Sequence, residues 1–149
     1  MKREIKFRGK RIDKDVFVFG DMLTGMGHKK SKFYILPHLT YYPDDCNSLD
    51  GYEVIPETIG QFTGLLDKNG KEIYEGDIIR SYDSENNPII HSISWDNKKA
   101  CYVATMLQYL ISCPIDKNWI DEFEKEVIGN VFDKDFGYVI KNTKTNNIG

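Results

Sequence analysis

The chain has 149 residues, 40% hydrophobic and 29% charged, with nine Tyr, eight Phe and two Trp. This composition excludes a disordered or fibrous protein, and the chain is long enough to bury an apolar core without metal or disulfide staples. The formal net charge is −3, yet the first fourteen residues hold seven Lys or Arg against two acids, so a local +5 stands against −8 in the remainder.

In chain order, Ile5 and Phe7 alternate with Lys6 and Arg8, the period of a half-buried strand whose apolar residues face the core, and Gly9 offers a turn or bulge. Val16 to Phe19 is a second strand, ended by Gly20-Asp21 and able to pair with the first as a hairpin. Thr24 to Ser31 (TGMGHKKS) reads as a loop before a strand from Lys32 to Leu36, which Pro37 terminates because proline cannot donate to a ladder. His38 to Gly51 has no period and reads as a long loop. Tyr52 to Ile55 is a short strand stopped by Pro56, and Thr58 to Phe62 resumes extended structure.

Asp67-Lys68-Asn69-Gly70 is the strongest local signal, because Asn and Gly tolerate the positive φ of a tight reversal. Glu75-Gly76-Asp77 makes a second turn into a strand from Ile78 to Tyr82, and Asp83 to Pro88 is a loop. Ile89 to Trp95 and Ala100 to Leu107 flank a turn at Asp96 to Lys99 and predict a second hairpin, with a helix as the alternative for the latter arm. Asp116 is an N-cap candidate for a short helix in which Ile115, Trp119, Ile120 and Phe123 recur at helical spacing. Glu126 to Phe132 is the last strand. The polar tail after Ile140 has little to bury and is expected to be mobile.

Cys46, Cys101 and Cys113 form no CxxC pair, so reduced thiols are expected rather than bridges or a zinc site. The first residues lack the apolar stretch of a secretory signal. The most apolar run, Tyr102 to Ile111, is broken by Gln108 and falls short of the roughly 20 residues of a membrane span. A cytoplasmic protein with no membrane segment is the expectation.

Four blocks are distinctive in order and spacing: IKFRGK at Ile5 to Lys10, the strand ending in Gly20-Asp21, ETIGQFTGLLDKNGKEIYEGDII at Glu57 to Ile79, and EVIGN at Glu126 to Asn130. Over roughly residues 3 to 133 the chain resembles the YopX protein family; the tail and the loop from His38 to Gly51 lie outside the match. The resemblance implies a small, mainly β protein of bacteriophages, prophages and related mobile elements. It names a setting rather than a reaction and supplies no catalytic residues. The family pattern has Trp or Tyr before the Gly-Asp where this chain reads VFVFGD, and Phe fills the same apolar volume.

Each chemical constellation competes with a plainer reading. Asp67, Asn69, Glu72, Glu75 and Asp77 offer oxygens for calcium, but the Gly and Glu positions of an EF-hand loop are not met, so turn chemistry explains them. Glu75 and Asp77 with a histidine could serve a small hydrolase or nuclease, although Gly76 between them argues for a turn. His28, His38 and His91 form no HxxxH or HExxH pair, and no GxSxG elbow supplies a nucleophile, which leaves only a His-Cys dyad assembled in space. TGMGHKKS lacks Walker A spacing. The basic first strand is the best recognition candidate: Lys6, Arg8, Lys10 and Arg11 can neutralise phosphates or acidic side chains, and Phe7, Phe17 and Phe19 can stack on bases. Its plainer reading is an edge strand coated with Lys against aggregation.

The sequence therefore predicts a mainly β fold, with short antiparallel strands in hairpins forming barrel-like or sandwiched sheets and one short helix near 117–123. It predicts a single domain over 1–140, in which 71–133 is a candidate small barrel half, and a mobile tail over 141–149. The expected function is a phage or prophage accessory module that binds protein or nucleic acid without chemistry, with no cofactor, no metal and no assigned oligomeric state. The alternative is the small hydrolase or nuclease.

Overall fold

The computed structural model describes residues 4–26, 31–37 and 51–134. The described residues are mainly β, in two antiparallel sheets with one short α-helix. The chain divides into two compact units, Met1–Phe62 and Thr63–Gly149, and the division falls inside a strand.

Unit 1 is built from β1 (Phe7–Lys10), β2 (Phe17–Met26), β3 (Ser31–Leu36), β4 (Tyr52–Glu53) and the start of β5 (Gly60–Leu66), in the order β4-β3-β2-β1-β5. The first hairpin forms as expected, with Phe7 opposite Gly20 and Lys10 opposite Phe17. β2 does not stop at Gly20-Asp21 but runs on to pair with β3. Gly20 permits this because a Cβ there would lie 1.7 Å from the Leu36 carbonyl oxygen. Gly9 is neither turn nor bulge: it sits within β1, where an added Cβ would meet Val54 at 2.9 Å.

β1 is also not an edge. It pairs with β2 on one side and with Gly60 and Gln61 of β5 on the other, so the picture of lysines coating a free edge does not hold. Nor do its faces divide as alternation predicts: Ile5, just before the strand, is exposed, Phe7 is half-buried and Arg8 is only 7% exposed. The apolar centre of this unit includes Ile35 and Val54. Pro56–Thr58 forms a single 3-10 turn that ties in β1, because the Thr58 hydroxyl accepts the Lys10 N–H at 2.8 Å and donates to the Ile55 carbonyl at 2.7 Å.

Unit 2 begins in the second half of β5, continues through β6 (Glu72–Tyr74), and adds the sheet β10-β9-β8-β7-β11. Its strands are β7 (Asp77–Tyr82), β8 (Pro88–Asp96), β9 (Cys101–Met106), β10 (Ile111–Pro114) and β11 (Glu126–Asn130). The second hairpin forms as β8 and β9, and its latter arm is a strand rather than a helix. β10 lies in a stretch with no alternation to announce it, and β11 ends at Asn130 rather than Phe132.

The helix α1 spans Lys117–Asp121, and the Asp116 side chain caps it by accepting the Trp119 N–H at 2.8 Å. Ile120 enters the core, while Phe123, beyond the end of the helix, is 58% exposed at φ +55° and does not continue its apolar stripe. The core joins Ile73, Ile79, Ile93, Ala104, Ile120 and Val127, with Leu65, Cys113, Ile115 and Trp119 packed against it. Each fully buried Ile contributes roughly 1.5–3 kcal/mol. Successive residues Ile78 and Ile79 are both buried, as a strand flanked by β8 and β11 and covered on both faces requires.

Both strand orders are open; no pairing among the described residues closes either into a barrel. His28, His38, Cys46, the loop from 38 to 50 and the tail from 135 lie outside the described residues.

Candidate functional site

Alternation along β1 puts Lys6, Arg8 and Lys10 on one face and Arg11 on the other. The register brings β2 aromatics to the first of these faces, with Arg8 opposite Phe19 and Lys10 opposite Phe17. The Arg8 guanidinium carbon lies 5.0 Å from the centre of the Phe17 ring, and the Lys10 ammonium nitrogen lies 5.9 Å from it. Both fall within the range in which a cation is attracted to the negative face of an aromatic ring. Phe19 beside them is 44% exposed. Phe7 belongs to the opposite face, so of the three expected stacking residues only Phe17 and Phe19 accompany the cations.

Arg11 separates from the other three. Its guanidinium carbon is 4.1 Å from the centre of the Tyr52 ring, and it forms a fork with Asp13, Nε donating to Oδ1 at 2.7 Å and Nη2 to Oδ2 at 2.5 Å. The hydrogen bond to Asp13 raises the Arg11 pKa and lowers that of Asp13, against a smaller opposing effect of desolvation in each. Lys10 is ion-paired with Asp15. Neither carboxylate is among the residues the sequence singles out, although their spacing across a hairpin turn, two residues after Arg11 and five after Lys10, is the available signal.

The carboxylates of unit 2 are engaged by backbone. Asp67 is 6% exposed; its Oδ1 accepts the N–H groups of Asn69 (2.8 Å) and Lys71 (2.9 Å), and its Oδ2 accepts the Val127 N–H at 3.0 Å. Asp77 is buried and accepts the Tyr74 N–H at 2.8 Å across the turn that Gly76 makes at φ +86°. The turn reading of these residues therefore has direct geometric support. Among the described residues, no group of three or more His, Cys, Asp or Glu is arranged to hold a metal ion.

His91 lies elsewhere in unit 2, packed edge-on against Trp119 with ring centres 5.5 Å apart. Lys125, which no sequence motif marks, is 3% exposed; its ammonium group donates to the Glu122 carbonyl and stands 4.6 Å from the Trp119 ring centre. Burial lowers the Lys125 pKa, and burial followed by the charge of Lys125 lowers that of His91 to about 4. A half-open cleft of about 540 Å³ lies beside α1, with Leu65, Leu66 and Ile120 in its wall and Lys68, Lys117, Asp121 and Glu124 at its rim. It contains none of Glu75, Asp77 and His91.

No helix among the described residues is long and apolar enough to cross a membrane. The sequence matches no curated protein. The crystal structure of protein EF1440 from Enterococcus faecalis is similar to this chain, with a TM-score of 0.47 and 22% sequence identity over 87% of this chain and 94% of that one. The model of the YopX protein family matches residues 6–135, most of the chain and all of its four distinctive blocks except Ile5, and the chain belongs to that family.

Proposed function

We propose that this protein is a non-catalytic binding module of a phage or prophage, acting in the cytoplasm, that engages an acidic macromolecule through the β1–β2 face of unit 1. The observation that carries this reading is the placement of Phe17 against both Arg8 and Lys10, with exposed Phe19 in register beside Arg8. Cations next to stacking rings on a sheet surface suit a single-stranded nucleic acid: the cations follow the phosphates, and the rings accept bases. The non-catalytic reading is supported by Asp67 and Asp77, whose carboxylates are engaged in holding backbone N–H groups. No cofactor enters this reading.

The test is fluorescence anisotropy with a labelled oligothymidylate and, separately, a labelled polyglutamate peptide. Phe19→Ala removes an exposed ring and should weaken oligothymidylate binding about fivefold or more, since stacking on a base is worth about 1–3 kcal/mol. Lys6→Ser should flatten the salt dependence. Equal binding by the wild type and both variants would sink the assignment, and binding of polyglutamate alone would replace nucleic acid with an acidic protein.

A further inference from the structure

Resting on that reading, we infer that the turn between β1 and β2 carries its own competitor for an acidic partner that extends from the Lys10 face around the turn to Arg11: Asp15 occupies Lys10 and Asp13 occupies Arg11 in the free protein, and both must be displaced when the partner binds.

The geometry has three parts. First, the Arg11–Asp13 contact is a two-point fork, with bonds of 2.7 and 2.5 Å, and a guanidinium grips a phosphate in the same manner. Second, the carboxylates form the outer layer. The side chains of Lys10 and Arg11 are 14% and 17% exposed, whereas those of Asp15 and Asp13 are 55% and 52% exposed, so an approaching anion meets the carboxylates first. Third, both acids sit on an exposed turn held at its base by Arg11 N–H to Val16 C=O at 3.0 Å. Their displacement breaks no strand pairing.

The exchange is also balanced in kind, because each cation trades one anionic oxygen partner for another and is never left bare. Ion pairs at a surface are weak and screened by salt, so a ligand bringing several phosphates at once can displace them. The consequence is selectivity for polyanions over single anions, since a lone phosphate competes with a carboxylate that is tethered two residues from its cation.

The experiment compares wild type, Asp13→Asn/Asp15→Asn and Glu57→Gln/Glu85→Gln in oligothymidylate and polyglutamate binding at several salt concentrations. Both double variants remove two negative charges, taking the formal net charge from −3 to −1, but only the first frees the cations. Asp13→Asn/Asp15→Asn is expected to bind about three- to tenfold tighter, because two weak exposed ion pairs no longer have to be broken. The gain should be greatest at low salt and shrink as salt screens the ion pairs that hold the wild type back. An equal gain in Glu57→Gln/Glu85→Gln would reduce the effect to bulk charge and overturn the inference. Unchanged affinity in Asp13→Asn/Asp15→Asn, while Phe19→Ala still weakens binding, would overturn the competitor and leave the binding face standing. No binding of either polyanion by any protein would overturn both.

Discussion

Two turns of this molecule use aspartate in opposite ways. At Asp67–Gly70 the carboxylate is buried and accepts three backbone N–H groups, one of them from Val127, sixty residues along the chain. At Asp13–Asp15 the carboxylates are exposed and accept from the side chains of Arg11 and Lys10. Backbone donors have fixed positions, so losing their acceptor leaves N–H groups unsatisfied inside the protein. Side-chain cations can turn to water or to another anion. The first arrangement specifies a fold, and the second leaves a surface whose partners can be exchanged.

The largest test of this contrast is Asp67→Ala. It removes the acceptor of three N–H groups and should destabilise unit 2 by about 3 kcal/mol, since an unsatisfied buried donor costs about 1–3 kcal/mol. Asp67→Asn, with one amide oxygen in place of two carboxylate oxygens, should fall between this variant and the wild type. Urea unfolding followed by tryptophan fluorescence reports on unit 2 alone, because both tryptophans, Trp95 and Trp119, lie within it. A midpoint within error of the wild type for Asp67→Ala would show that the turn does not depend on its carboxylate.

Next in size is the response to pH. Burial favours the neutral imidazole of His91 and places its pKa at about 4, below the ordinary 6.5. Between these values the unfolded chain binds a proton that the folded protein does not. The contribution of His91 is therefore complete above pH 6.5 and is lost as the pH falls towards 4. Going from pH 7 to pH 5 should lower the stability of unit 2 by about 1.5 kcal/mol, and His91→Gln should remove most of that slope. A slope unchanged in His91→Gln would assign the pH response to other groups.

How much of the molecule is legible in its sequence follows the same division. The Asp67 and Gly76 turns, the cap at Asp116 and the β8–β9 hairpin all rest on local chemistry, and each forms where the residues predict. What escapes depends on distant partners. Arg8 is covered, and β1 lies between two strands, because Gly60 and Gln61 pair with it across more than fifty residues. Alternation within IKFR cannot reveal that pairing. β10 gives no signal because Ile111 is exposed and Cys113 only half-buried, which leaves no apolar–polar rhythm to read. Of the four candidate cations, periodicity alone puts Lys6, Arg8 and Lys10 together and sets Arg11 apart; their aromatic neighbours and counter-charges emerge only from the β1–β2 register.

The smallest effect is the one that most sharply separates the two turns. Asp13→Asn/Asp15→Asn should leave amide hydrogen-exchange protection along β1 and β2 unchanged, because the strand pairing from Phe7–Gly20 to Lys10–Phe17 involves neither carboxylate. Salt should be equally without effect on that protection in the wild type, since screening acts on the exposed pairs and not on the ladder. If the substitution instead strips protection from β1, the Asp13–Asp15 turn is as structural as Asp67. Its carboxylates would then be unable to leave their cations without opening the hairpin, and an acidic partner would have to bind beside them rather than in their place.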